Sequence, residues 1–279
     1  MNIDYHIHTN YSDGISSISD ILSLIQKNKI HYFSVTDHDN IESVSELTQL
    51  QFDFSTYISG VEITCAEYTL NDISTPFSIH LLGYGFDPLN PDLISILETR
   101  KKRVENTFYN LLNEISCIVQ KNILLTDIPI SCGVVLQLCD VQNYITSLFP
   151  IYSDKVRTLI NDYAFHLSNS NISIEEAIDA IHHAGGKAVW AHPYHVYHQF
   201  RKKTITLSEV KYILNELMVF GIDGIEANYL DFFPKQRDTL KELAIRNHLL
   251  YTGGSDYHGF PGRDDMGIEI SSSDLPFIR

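Results

Sequence analysis

Histidines and carboxylates recur in short motifs from one end of the chain to the other, and this recurrence limits what it can fold into. The series starts with Asp4-Tyr5-His6-Ile7-His8-Thr9 and Ser12-Asp13-Gly14. It continues through Thr36-Asp37-His38, Gly60-Val61-Glu62, Ile79-His80 and Ala191-His192-Pro193, and closes at Gly254-Ser255-Asp256-Tyr257-His258. These side chains are hard or borderline donors suited to divalent metals. They are far apart in sequence, so only a fold that gathers them accounts for the set. The expectation is a multinuclear metal site, and with it a hydrolase.

Apolar residues alternate between strand-like runs and helical patterns. Strands are predicted at Ile3–His8, His31–Thr36, Tyr57–Ile63, Phe77–Tyr84, Lys187–Ala191, Gly224–Ala227 and Leu249–Thr252. Ser16 or Ser17 could cap a helix with an apolar face of Ile18, Ile21, Leu22 and Ile25. A second helix starts near Glu42, and helices with good periodicity cover Ile174–Ala184 and Leu207–Phe220. Repeated strand–helix–strand order predicts parallel pairing in a barrel or doubly wound α/β sheet. Nearly every metal-type residue falls at the C-terminal end of a predicted strand, which is where βα loops converge in a β/α barrel.

The alternation stops between about Asn90 and Ser170, where Arg100–Val119 and Asp154–Leu167 read as helices and no metal-type motif occurs. Residues 90–170 are therefore expected to form a helical insertion, a cap over the site, with residues 1–89 and 171–279 forming the metal-binding domain.

The chain's 279 residues suffice for one large domain with an insertion. No run of apolar residues is long enough to cross a membrane. Nothing at the N-terminus resembles a secretory signal, and a motif already begins at residue 4. Cys65, Cys117, Cys132 and Cys139 have no zinc-finger or CxxC spacing and read as reduced thiols, so a cytoplasmic location is expected. The net charge of −15 disfavours stable binding of duplex nucleic acid. A locally positive metal site can still attract a small anion within such a field.

In a strand, Asp4, His6 and His8 share one face. Two imidazoles on one face make a rigid clamp for a metal. Asp4 is better placed behind them, orienting an imidazole through its other nitrogen. Asp37 and Asp39 flank His38 and read as loop or supporting groups. His182 and His183 read as structural.

The segments DYHIHTNYSDG, SVTDHDN, GVEIT, IHLLGYG, AHP, GIDGIEA and GGSDYHG, in this order, resemble the PHP (polymerase and histidinol phosphatase) superfamily of metal-dependent phosphoesterases. The resemblance covers nearly the whole chain outside the insertion. It is closer to the bacterial branch acting on nucleoside 3′,5′-bisphosphates and RNA ends, which also carries a helical insertion. It implies a distorted (β/α)7-type barrel with a helical insertion, and three divalent ions of Zn, Mn or Fe. His6, His8, Glu62 and Asp256 would hold one ion. Glu62 would bridge to a second, completed by His80 and His192, and Asp13, His38 and His258 would hold the third.

Three divalent ions and three carboxylates leave about +3 of charge, which suits a phosphate monoester dianion. The implied reaction is hydrolysis of a phosphomonoester, with a metal-bound water as nucleophile. Its substrate would be small and phosphorylated, with the 3′-phosphate of a nucleoside 3′,5′-bisphosphate or a short oligonucleotide among the candidates. His195 is a candidate general acid, with His198 close behind it. Arg100 and Arg103, in the run Arg100-Lys101-Lys102-Arg103, and Arg263 are candidates for a substrate phosphate, since a guanidinium fork matches its oxygens. The insertion lacks the branch's usual run of basic and small residues near Ser131–Leu138, so the substrate stays open. The rival readings are a histidinol-phosphate-like phosphatase, a non-catalytic PHP metal-binding module and an amidohydrolase-type barrel. The last of these generally bridges its metals with lysine rather than with a group like Glu62. Sequence sets no oligomeric state.

Overall fold

The computed structural model describes residues 1–70, 73–131, 133–262, 265–271 and 275, with residues 73 and 74 as backbone. Arg263 and Cys132 lie outside the described residues.

The first third of the chain runs β1 (Asn2–Asp4), α1 (Ile18–Lys27), β2 (Tyr32–Phe33), α2 (Glu42–Gln49), β3 (Thr56–Tyr57), β4 (Gly60–Thr64), β5 (Tyr68–Leu70), β6 (Ile73–Phe77) and β7 (His80–Tyr84). Three helices follow: α3 (Pro91–Val119), α4 (Leu138–Leu148) and α5 (Ser153–Ser168). The last third runs α6 (Ile174–His183), β8 (Lys187–Trp190), β9 (His195–His198), β10 (Arg201–Thr204), α7 (Leu207–Val219), β11 (Gly224–Tyr229), α8 (Pro234–Arg246), β12 (Leu250–Gly254) and β13 (Ile268–Glu269).

The long strands expected from apolar runs are shorter, because they divide between two sheets. One sheet has the order β13-β1-β2-β3 and the other β12-β11-β8-β7-β4. The single strand expected over Tyr57–Ile63 is two, β3 in the first sheet and β4 in the second. The break falls at Ile58 and Ser59, just before Gly60, where a Cβ would lie 2.0 Å from the Ser34 hydroxyl. Isolated pairings of Ile7 with Tyr257 and of His38 with Glu62 tie the sheets together near the metal-type residues. The named strands thus form a mixed α/β fold of these two linked sheets and two separate two-stranded ribbons, β5-β6 and β9-β10, and they do not close one barrel ladder.

Pairing is also not uniformly parallel. β8, β11 and β12 run parallel, but β7 is antiparallel to both β4 and β8. This reversal moves one site residue. His80 is the first residue of β7, yet it pairs with Thr64 at the C-terminal end of β4. A residue at a strand's start therefore reaches the end of the sheet where the others finish.

The helices form for local reasons. Ser17 caps α1 and receives Asp20 in return, and Ser173 with Glu176 does the same for α6. Asn90 caps α3 with Pro91 in its first turn, so this helix starts nine residues before the expected Arg100. Its first part sends Leu93 and Leu97 into the main core with Ile178 and Ile181 of α6. Its second part packs Phe108, Leu111 and Ile115 against Val141, Ile145, Val156 and Ile160 of α4 and α5 in a separate apolar cluster. Burial of each such side chain contributes about 1.5–3 kcal/mol.

Candidate metal centre

β1 delivers Asp4 inside the sheet, and the extended backbone beyond it carries His6 and His8. All three side chains are buried. The end of β12 comes very close to this strand. A Cβ on Gly254 would lie 2.3 Å from the His6 Cβ, so glycine is required there. The turn after β12 then presents Asp256 and His258. Asp256 has φ 55° and His192, just past the end of β8, has φ 32°. Two non-glycine residues in the left-handed region are costly unless the surroundings hold them, and such residues cluster at functional sites.

Glu62, buried in β4, is the centre of the arrangement. Its Oε2 lies 2.9 Å from His6 Nε2, 3.1 Å from His8 Nε2 and 3.4 Å from His38 Nε2. Its Oε1 lies 2.9 Å from His80 Nδ1 and 3.2 Å from His192 Nε2. One carboxylate therefore turns its two oxygens toward two sets of imidazoles. Around it, three groups have donor atoms within 4.8 Å of one another: His6, His8, Glu62 and Asp256; His38, Glu62 and His80; and His8, Asp13, His38 and His258. Eight of the nine expected residues fall in these groups. In the second group His38 takes the place expected for His192, which stays beside Glu62.

The donor set fits divalent cations. His8 Nε2 is 3.1 Å from Glu62 and 3.2 Å from Asp256, yet neither ring nitrogen of His8 has hydrogen-bond geometry to a partner. A buried polar atom left without a partner costs about 1–3 kcal/mol. His258 Nδ1 donates to the Asp256 carbonyl at 2.8 Å, which leaves a lone pair on Nε2 facing Asp13 at 3.3 Å. His6 Nδ1 lies 2.9 Å from Glu226 Oε1, so Nε2 is again the inward atom. This is the usual way protein fixes a metal-binding imidazole.

The charges are strongly coupled. Burial alone would raise Glu62, but His38, His6 and His80 hold its carboxyl well below the usual range. Burial likewise opposes ionisation of Asp256, and His6, His8 and His258 outweigh it. Asp13 is lowered against the same burial cost by His38, His258 and His8. Burial disfavours charge on His8, yet Asp256, Glu62 and Asp13 bring it up to about 10. For His38 burial wins over Glu62 and Asp13, and its pKa falls.

Supporting side chains shape the loops. Asp37 accepts from Thr9 N, Thr9 Oγ1 and Ser12 Oγ, fixing the turn that carries Asp13. Asp4 accepts from Ser255 N and Oγ, Gly267 N and His6 N. Burial pushes its carboxyl up to about 6 against these bonds. Asp4 was expected to orient an imidazole. It instead holds the Ser255 turn in place, because its strand position faces the end of β12, and Glu226 orients His6. Glu226, fully buried in β11, also accepts from His192 N at 2.8 Å. It was missed, although an isolated acid within the apolar run Gly224–Ala227 is a signal for it. Tyr229 was missed too; its hydroxyl donates to Asp256 Oδ2 at 2.9 Å.

The other candidates are more dispersed. His195 stands 6.0 Å ring to ring from His192, against Tyr229 and Phe232. Burial holds its pKa down at about 3, so it is neutral near pH 7. His198 lies 3.2 Å from Glu67, away from the cluster. Arg100 pairs with Asp39 at 2.8 Å and bonds Asn171 at 3.1 Å. It lines a cleft of about 1150 Å³ that meets the centre at His38 and is walled by Leu97, Val104 and Phe108 of α3. Arg103 is exposed, and its charge is felt by Glu176 of α6. His182 pairs with Asp223 at 2.7 Å in a structural contact.

Comparison with known proteins places this geometry among related folds. A family model described as the PHP domain matches residues 4–247. The 5′-3′ exoribonuclease Rnm of Salmonella typhimurium is 23% identical over 270 residues, covering 91% of this chain and 84% of the relative. The 3′,5′-nucleoside bisphosphate phosphatase of Chromobacterium violaceum is 24% identical over 291 residues, covering 99% and 93%. A crystal structure described as a metal-dependent phosphoesterase from Bifidobacterium adolescentis superposes with a TM-score of 0.64 at 24% identity, covering 92% of this chain and 87% of that one.

Proposed function

The chain belongs to the PHP-domain family, and from that premise we propose that it is a phosphoesterase hydrolysing a phosphomonoester, the 3′-phosphate of a nucleoside 3′,5′-bisphosphate or of a short oligonucleotide being the preferred class. It is a hydrolase of metal-dependent type. The observation that carries the reading is Glu62, whose two oxygens face two sets of imidazoles.

In this reading His6, His8, Glu62 and Asp256 would hold one cation. Glu62, His80 and His192 would hold a second, and Asp13, His38 and His258 a third. Bound there, divalent cations would supply Lewis-acid polarisation of the phosphoryl group and a water acidic enough to attack it. The protein's own side chains do the remaining work. Glu226 keeps His6 turned inward, Asp4 and Tyr229 fix the turn and carboxylate of Asp256, and Asp37 fixes the turn of Asp13. A neutral His195 beside His192 offers a hydrogen bond to the departing oxygen rather than an imidazolium proton. Residues 90–170 act as the cap, since α3 walls the cleft at His38. A cytoplasmic location fits the free thiols of Cys65, Cys117 and Cys139, and among the described residues no helix is long and apolar enough to cross a membrane.

A phosphodiester reading is favoured by the exoribonuclease relative. One screen addresses both: protein loaded with Mn, Zn or Fe is given phosphomonoesters and short oligonucleotides, and phosphate and nucleotide products are both followed. Phosphate release abolished by His6→Ala is expected. Nucleotide release alone would favour the diester reading, and no release from any substrate would sink the proposal.

A further inference from the structure

Arg100 was expected to meet a substrate phosphate, yet its guanidinium turns into the protein beside the centre. Leu93, Leu97 and Arg100 recur at helical spacing, so they share one face of α3. The two leucines enter the main apolar core, and Arg100 is the polar residue that follows them. Its Nη2 lies 2.8 Å from Asp39 Oδ2, with the two side chains only 17% and 4% exposed. Its Nε donates to Asn171 Oδ1 at 3.1 Å, at the junction of α5 and α6. The planar fork of a guanidinium suits two partners held at fixed angles. Glu42, Glu46 and Glu98 line the same cleft, which further disfavours a phosphate there.

From Asp39 the contacts continue to a candidate ligand. Asp39 has φ 53°, and its backbone N–H donates to the Glu62 carbonyl at 2.8 Å. Its Oδ1 accepts from Thr64 N at 2.9 Å. Thr64 Oγ1 in turn lies 3.3 Å from His38 Nδ1. The opposite nitrogen of His38, Nε2, is 3.4 Å from Glu62 and 4.0 Å from Asp13. An imidazole that binds a cation through one nitrogen carries its proton on the other, and the acceptor of that proton fixes the ring. Thr64 is placed to be that acceptor for His38, as Glu226 is for His6 and the Asp256 carbonyl is for His258. Thr64 differs from these in being held by a carboxylate that α3 itself anchors. The path from Arg100 to His38 thus joins α3, the loop after β2 and the end of β4.

We propose that Arg100 is a positioning residue for His38 and not a phosphate ligand: through Asp39 and Thr64 it orients the imidazole that faces Asp13 and Glu62. The seating of α3 on the main domain is thereby coupled to the cation-binding geometry of the centre. The assignment rests on the cation-binding part of the reading above and is independent of the substrate.

Manganese alone is the probe, titrated by calorimetry into metal-free wild type, Arg100→Gln, Arg100→Lys and Thr64→Val. Arg100→Gln should weaken manganese binding roughly 10-fold, the lower end of what a residue behind a ligand contributes. Thr64→Val keeps the shape but removes the acceptor, and should do the same. Arg100→Lys, which keeps the charge opposite Asp39, should recover part of the loss. In a His38→Ala background Arg100→Gln should cost nothing further, because the ring it orients is gone. Unchanged binding in Arg100→Gln or in Thr64→Val, or losses that add in His38→Ala, would overturn the assignment. If Arg100→Gln fails to fold, Thr64→Val decides alone. No turnover is needed, so failure of the phosphoesterase reading would leave the result intact. Where phosphate is released, Arg100→Gln at saturating metal should keep KM near that of wild type. A raised KM with wild-type manganese affinity would make Arg100 a phosphate ligand and sink the proposal.

Discussion

Glu226 Oε1 stands 2.9 Å from His6 Nδ1, and its other oxygen takes the backbone N–H of His192 at 2.8 Å. One buried carboxylate in β11 therefore sets the ring of one candidate ligand and the backbone of another. Replacing it by glutamine keeps the shape but allows the amide to present a donor to His6. Glu226→Gln should lower metal affinity about 10- to 100-fold, the usual cost of losing such a partner. Metal titration followed by elemental analysis would check this. Unchanged affinity would show that Glu226 is merely a buried strand residue.

Cation removal should also be visible in stability. The centre buries Glu62 with several imidazoles, and ligands that bind only the folded state stabilise it. Saturation at 100 times Kd is worth about 2.7 kcal/mol. Chelation should lower Tm by several degrees and abolish phosphate release, and readdition of metal should restore both. A Tm indifferent to chelator would count against a tightly held cation.

Asp223 gives a pH signature away from the centre. Burial opposes its charge, but Lys187, Ala188 N and His182 outweigh that and hold its carboxyl below the usual range. A lowered carboxyl stabilises the fold above its unfolded pKa, near 3.9, and the gain is lost as pH falls through the folded value. Asp223→Asn should cost about 1–2 kcal/mol at pH 7. The Tm gap from wild type should persist down to about pH 4 and close below it. A gap that widened in acid would contradict the sign.

The cluster of α3, α4 and α5 can be probed apart from the rest. Leu111 is fully buried in it, and Leu111→Ala should cost about 2–5 kcal/mol. Hydrogen exchange should rise over α4 and α5 more than over β8 and β11. Uniform loss of protection would mean that the two apolar clusters unfold as one unit.

The gathering of these side chains was legible in the sequence because they sit in short polar motifs set against apolar strands. His6, His8, Glu62 and Asp256 meet as expected. The sheet was less legible. Nothing in the apolar run of Phe77–Tyr84 reveals that it runs antiparallel to its neighbours, since strand direction comes from tertiary pairing. The β9–β10 hairpin was hidden by a turn without glycine, whereas α4 was passed over although Leu138, Val141 and Ile145 recur at helical spacing. Arg100 illustrates a different limit. Its residue type suits phosphate, but Asp39, distant in sequence, has already claimed it.

Burial across the centre is graded, and the gradient gives it a direction. Side chains of His6, His8 and Glu62 have no more than 1% exposure, whereas His258, His38 and Asp13 have 17%, 21% and 29%. Solvent thus reaches the cluster mainly at Asp13, His38, Asp256 and His258, and less at His80, whose side chain is 12% exposed. A group entering from solvent therefore meets Asp13, His38 and His258 before it reaches His6 and His8.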